Sequence, residues 1–418
     1  MPGRFYSRGV SRPQSDSSRH GPRWLARFRR ITTSGSFLGE VDGLRFVAIF
    51  VVVLFHLAVG LSMKAPASYS RPPGGFLAAV AWNGFRGVEL FFVISGFILA
   101  LPFANHFLAG GPRVNLKHYF LRRLTRLEPP YVLCMVLLFA LLVTLRGRSG
   151  HELLPHLASS LGYLHNAIYG YESTINNVAW SLEVEVQFYL LAPLLAGLFA
   201  IRGKLARRAT IVAFCAAATA LSWLYLQPGQ RAGLSLARFL HFFLVGFLLA
   251  DVYLTDWGRK PSRSLSWDLV SVAGWPLLLL AWHSSAAPGA GLAPASEPAT
   301  TAFLFPPAIF FLYCAAFRGR ITNRFFTNPW IATTGGMCYT IYLLHNPALN
   351  IILAQTKNFA PASSYTVNLL LQLALTTPAL LALSALFFLL VEKPCMKPDW
   401  PRRLLARFSP QAATPGAQ

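Results

Sequence analysis

Apolar residues gather along this chain into ten runs, near 44–63, 87–108, 127–146, 180–201, 208–226, 236–254, 268–283, 300–317, 336–356 and 366–391. Each approaches the ~20 residues an α-helix needs to cross bilayer hydrocarbon. The pattern predicts an all-α polytopic membrane protein with about ten transmembrane helices. The seventh run is short and holds Pro276, and Pro306 with Pro307 should kink the eighth. Between the third and fourth runs lies a long polar stretch, 147–179, with room for a short surface helix at 153–165; residues 284–299 read as a flexible linker rich in Ala, Pro, Gly and Ser.

Basic residues alternate with the runs. They cluster at 113–126, 202–208, 259–263 and 318–324, while the intervening loops hold few. Cytoplasmic loops are the ones enriched in lysine and arginine, so both termini are expected in the cytoplasm. A basic tail spans 1–36, a single membrane-embedded domain 37–394, and a second tail 395–418. The first thirty residues contain no apolar core, so no cleavable signal peptide is expected and the first helix should direct insertion.

Composition narrows the class. Of the residues 54% are hydrophobic and 12% charged, and the mean hydropathy is +0.47, against about 25% charged in soluble domains. That excludes an ordinary soluble enzyme. The net charge of +22, carried by a chain with 33 Phe and 10 Trp, points to anionic membrane lipid rather than nucleic acid. Cys134, Cys215, Cys314, Cys338 and Cys395 are scattered, so neither a disulfide framework nor a metal site is expected.

Ionisable residues inside apolar runs are costly unless they face a cavity or one another. Arg45 and His56 stand eleven residues apart, which on a helix leaves them within roughly 20° of one face and about 16 Å apart along the axis. Arg45 lies at the cytoplasmic mouth beside Asp42. Glu89, Glu183 and Glu185 fall in the outer half of their helices, at a depth comparable to His56. A carboxylate beside a histidine orients the ring and raises its basicity, suiting it to take a proton from a hydroxyl. Each residue also has a structural reading: His56 as hydrogen-bonded core, Glu89 as an ion-pair partner, Glu183 as a loop anchor, and Ser95 with Gly96 as a helix-packing patch.

His345, mid-helix in the ninth run, is a second polar lining residue. Arg122, Arg123 and Arg126 form a basic cluster that either grips an anionic phosphate or enforces topology. The 147–179 stretch, with His151, His156, His165, Tyr169, Tyr171, Asn176 and Asn177, suits a sugar acceptor or is a plain connector. Neither a phosphate-binding Walker loop nor a G-x-S-x-G elbow occurs.

These residues sit in a recognisable series. It comprises DGLRFVAIFVVVLFH from Asp42 to His56, VELFFVISGF from Val88, RRLTRLEPPY from Arg122, WSLEVEVQFY from Trp180, YTIYLLH ending at His345, and VEKP ending at Pro394. In order and spacing the chain resembles the integral membrane acyltransferase family 3, whose members O-acylate bacterial surface polysaccharides and related acceptors. The resemblance covers residues 42–394 and matches the family's arginine and histidine, ten residues intervening, to Arg45 and His56. Glu183 stands where the family more often has a small residue, and Glu128-Pro-Pro where a single proline is usual.

The resemblance implies an inner-membrane enzyme with no tightly bound cofactor that uses acyl-CoA, usually acetyl-CoA, from the cytoplasm to acylate a glycan or glycolipid at the outer face. His56 would be its essential histidine, supported by Glu185 or Glu89. Arg45, Arg122, Arg123 and Arg126 would serve the donor end, while Trp180, Asn177 and His345 are placed to meet the acceptor. Relatives often carry an extra C-terminal hydrolase-like domain, so a second transfer step would need a separate periplasmic transferase. Succinyl or another acyl group remains an alternative donor. From the intramembrane charges alone, a proton-coupled transporter or flippase is the rival class.

Overall fold

A computed structural model describes residues 22–31, 38–69, 75–226, 231–281, 298–397 and 400. The expected linker at 284–299 lies almost wholly outside them, as do most of the two tails. Helices dominate: α1 (Gly39–Lys64), α2 (Gly87–Ala109), α3 (Leu116–Thr144), α4 (Gly150–Leu161), α5 (Trp180–Leu195), α6 (Lys204–Tyr225), α7 (Leu236–Thr255), α8 (Leu265–Ala281), α9 (Ala299–Arg318), α10 (Pro329–Gly336), α11 (Cys338–Thr356) and α12 (Tyr365–Phe387). Eight segments are long and apolar enough to cross a bilayer, and the α10/α11 pair, bent by 71°, makes a ninth. The fold is therefore the all-α polytopic one, and α8, with 17 residues described, occupies the place of the seventh run.

Three expected helices differ in detail. The ninth run forms a bent pair because helical geometry breaks at Met337, after Gly335 and Gly336. α9 runs unbroken through Pro306 and Pro307. α3 begins at Leu116 rather than near 127, so Arg122 to Arg126 lie within the helix instead of preceding it. Pro129 cannot donate to the carbonyl four residues back. That orphaned Thr125 carbonyl instead accepts the Trp400 indole N–H at 2.8 Å, which removes much of the reason to stop there. Ser149 caps α4 by accepting from the Glu152 amide, and Leu153 with Leu157 turn the buried face of this surface helix inward.

Small residues let the central helices meet. A Cβ on Gly96 of α2 would lie 2.2 Å from the Phe243 carbonyl of α7, and one on Gly246 of α7 would lie 2.4 Å from the Phe97 amide. α1 and α10 cross as closely: a Cβ on Gly335 would stand 1.7 Å from the Asp42 carbonyl oxygen. Substituting Gly335→Ala must push α10 off the turn of α1 that carries Asp42 and Arg45. The expected loss is about 1–3 kcal/mol or more, read as a lower thermal unfolding temperature of the purified protein. Leucines and phenylalanines such as Leu190, Phe214, Leu304 and Leu390 face outward, as a lipid-bathed surface requires.

Ionic contacts concentrate at one end of the bundle. There Arg207 and Arg208 of α6 meet Asp251 of α7, Arg263 approaches Glu40, Asn323 donates to Glu40, and Lys204 reaches Asp256. Two salt bridges hold the exposed-side Asp256 carboxyl down at about 2, with hydrogen bonding to Arg208 the largest favourable influence. This basic end is built from the loops that the charge pattern assigns to one side of the membrane.

Candidate active site

Near the opposite end, α1 and α11 bring His56 and His345 together, ring centroids 4.9 Å apart at 56°. Their helices are sequential neighbours of nothing in common; only the packing of α1 against α11 joins them. His345 is fully buried. Its Nδ1 lies 2.7 Å from the Tyr342 carbonyl and 3.2 Å from that of Ile341. Both partners only accept, so Nδ1 carries the proton and Nε2 presents a lone pair. Among the described residues Nε2 has no hydrogen-bond partner. His56 is half-buried, so a neighbouring histidine with a fixed tautomer faces a histidine with access to an adjoining space.

Residues 176–181 frame this pair. The Tyr342 hydroxyl meets Ser181 at 2.7 Å and donates to the Val178 carbonyl. Asn176 donates to the Leu343 carbonyl, and Asn346 donates to the Asn177 side-chain oxygen at 2.5 Å. Asn177 is thus beside the histidine layer. Trp180 is turned away from it, its ring packed against Phe239 and Phe92, which leaves its face little room to stack on a sugar.

The carboxylates divide. Glu185 lies one turn of α5 beyond Ser181 toward the basic end, where Ser95 of α2 donates to it at 2.6 Å and Tyr189 also hydrogen-bonds to it. Its charge is felt by Arg45 and Arg123. Glu89 faces Arg86 at 3.3 Å. The printed partners of both carboxylates therefore differ from His56, whose close neighbour is His345. Ser95 has a polar role, whereas Gly96 has the packing role its size suggests. Glu183 is fully buried and accepts the Asn166 amide at 2.8 Å, tying down the short helix His165–Tyr169. Glu128 hydrogen-bonds Tyr163, which holds a positive φ of 55° while stacked on Tyr131.

At the basic end Asp42 is fully buried between two guanidiniums. Arg45 donates to it at 2.7 Å and Arg30 at 2.8 Å. Arg30, read from sequence as part of a solvated tail, is the residue that reasoning missed; nothing in the local pattern signals a contact spanning a turn of chain outside the first helix. Burial, and then Arg45, pull its guanidinium down to about 10 against the pull of Asp42, so it stays charged at neutral pH. Arg126 belongs to the same field, and its Nε is buried with no partner among the described residues. Arg123 lies 3.7 Å from the centre of the Tyr119 ring and donates to the Tyr119 carbonyl. Arg122, one turn nearer the helix start than Arg126, is exposed and bonded to the His118 carbonyl. The three arginines thus separate into an inward-facing Arg126, an aromatic-bound Arg123 and an outlying Arg122.

The outer stretch carries a histidine clasp. His165 Nδ1 stands 3.1 Å from the Tyr171 carbonyl, so it donates, and Nε2 is left to accept from His156 Nδ1 at 2.9 Å. Burial, the largest influence, lowers the pKa of His165 against the opposing pull of the Tyr171 carbonyl. The folded value therefore falls below the unfolded ~6.5. The clasp contributes fully above that unfolded value and is lost as pH falls through the folded one. Amide exchange in 160–175, corrected for its intrinsic pH dependence, should be slow at neutral pH and accelerate under mild acid. Unchanged protection in acid would refute the clasp.

Comparison with known proteins fits this geometry. The family model described as an acyltransferase domain matches residues 38–391, from the start of α1 to the end of the last span. The chain belongs to this membrane acyltransferase family. Among similar proteins are the peptidoglycan O-acetyltransferase OatA of Listeria monocytogenes, 28% identical over 38% of this chain and 24% of that protein, and the putative peptidoglycan O-acetyltransferase YrhL of Bacillus subtilis, 28% identical over 46% and 29%. The O-acetyltransferase OatA of Staphylococcus aureus is 30% identical over 38% of this chain and 25% of its own length. The chain thus aligns with between a quarter and a third of these relatives. No solved structure matches.

Proposed function

We propose that this membrane acyltransferase takes an acyl group, acetyl in the first instance, from an acyl-CoA at its basic, cytoplasmic end and esterifies a hydroxyl of an envelope or exported glycan from the opposite side of the bacterial inner membrane. The observation that carries the reading is the His56–His345 pair, a buried lone pair with a fixed tautomer beside a second imidazole. His56 takes the acceptor hydroxyl's proton as the new C–O bond forms and the thioester C–S bond breaks, and the proton then passes to the departing thiolate. His345 steadies His56 through its Nε2 lone pair.

The donor end fits a polyanion. Arg126 offers a buried guanidinium N–H lacking a protein partner, and Arg30 and Arg45 add positive charge beside it. Glu185, bonded to Ser95 and Tyr189 between this end and the histidines, holds the polar lining of the path in place. Asn177 and Asn346 are the amide groups nearest the acceptor side. The names of the curated relatives support acetyl as the group and a wall glycan as the class of acceptor.

The test supplies labelled acetyl-CoA to membranes containing the chain and recovers label as a base-labile ester in the glycan or lipid-linked glycan fraction. Label above that of membranes lacking the chain is the expected result. Movement of an envelope solute with no thioester consumed would favour transport and overturn the proposal.

A further inference from the structure

A narrow cleft opens between α6, α7 and α9, away from the histidine pair. Its polar lining comes from Thr219 and Ser222 of α6 and from Arg238 and His241 of α7, with Trp223 and Phe305 among its walls. On α7, His241 stands ten residues before Asp251, the partner of Arg207 at the basic end. That separation is about 15 Å along the helix, so the cleft lies toward the opposite end of the bundle. Between it and His56 stand Arg86, whose guanidinium lies against the Phe305 and Phe85 rings, and then Phe55. The two sites are separate.

Three features describe an occupant. First, His241 is buried to within 6% of its surface, yet its Nδ1 has no hydrogen-bond partner among the described residues. A buried imidazole nitrogen left without a partner is costly unless a ligand satisfies it. Second, the lining carries a guanidinium and no carboxylate. Arg238 donates to the Gly233 carbonyl at 3.2 Å through Nη1, and a guanidinium has further N–H groups to offer. Third, the walls continue into surface suited to hydrocarbon. Trp223 meets Phe303 edge-on, and Phe303, Leu304, Leu221 and Leu224 are exposed.

We propose that this cleft binds the phosphate of a membrane lipid, with His241 and Arg238 donating to the phosphate oxygens and an acyl or prenyl chain lying along the surface past Trp223 and Phe303. An anion held beside hydrocarbon is the one ligand that satisfies the nitrogen, matches the charge and uses the apolar surface together. The inference stands independently of the acyl-transfer reading, because it uses none of the residues assigned to that reaction.

The probe is phosphatidic acid with brominated acyl chains, titrated into the purified full chain in mild detergent. Bromine quenches a nearby indole, and subtracting the Trp223→Phe titration isolates Trp223. Quenching of Trp223 should saturate at low lipid mole fraction, and His241→Leu or Arg238→Gln should raise the half-saturating fraction by about tenfold. Arg238→Lys, which keeps the charge, should lose less. On the native chain alone, brominated diacylglycerol should need about tenfold more than phosphatidic acid, and inorganic phosphate should not displace the lipid. That comparison holds whether or not a variant folds. Equal quenching by diacylglycerol would reduce the cleft to an apolar groove, displacement by inorganic phosphate would make it a free-anion site, and folded variants titrating like the native chain would remove His241 and Arg238 from it. Each of those results overturns the proposal.

Discussion

Replacing His56 with alanine abolishes measurable ester formation while leaving the helical bundle intact. Loss of a general base costs about 10²–10⁴ in rate, and His56 is the half-buried member of the pair, with no printed hydrogen bond to lose. His345→Gln should lose activity too, because an amide cannot reproduce a carbonyl-fixed imidazole with a free Nε2 lone pair. The measurement is initial rate at equal folded abundance, judged by monodispersity and thermal unfolding. A folded His56→Ala chain turning over at the native rate would remove this histidine from the chemistry.

The second large effect is expected at the other end of α1. Asp42 is fully buried between Arg30 and Arg45, and Gly335 presses against its carbonyl. Asp42→Asn leaves two guanidiniums facing each other with Arg126 nearby. Breaking a buried ion pair by removing one partner costs about 3–5 kcal/mol, so the variant should unfold at a markedly lower temperature and accumulate poorly. If it folds at all, its demand for acyl-CoA should rise, since Arg30 and Arg45 lose the carboxylate that holds them. An Asp42→Asn chain as stable as the native one would show that the triad is screened by water and contributes little.

Much of this fold was legible in the apolar runs, because crossing a bilayer imposes a length that single segments declare. Arg45 and His56 were placed on one helix correctly for the same reason: α1 is continuous and its periodicity is local. Contacts between distant segments were not legible. Ser95 and Glu185 are ninety positions apart in the chain, and the His56–His345 pair far more, so their meeting depends on helix packing rather than on any pattern within one helix. The start of α3 was misplaced because Pro129 and Pro130 read as a helix start, whereas Trp400 supplies from afar the hydrogen bond that Pro129 lacks. Arg30 was hidden in a basic stretch whose other members gave no reason to separate it. His241 was passed over because one histidine in an apolar run looks like core, and only its unpartnered nitrogen beside a cleft distinguishes it.

The central claim is that an acyl group enters at the basic end and leaves at the histidine end. Sealed vesicles containing the chain in one orientation test it, with labelled acetyl-CoA confined to the face bearing the basic end and an acceptor glycan confined to the other. The expected result is free CoA thiol on the donor face and base-labile label on the glycan across the membrane, both absent with His56→Ala. Labelled ester appearing only when donor and acceptor share a face would contradict the account.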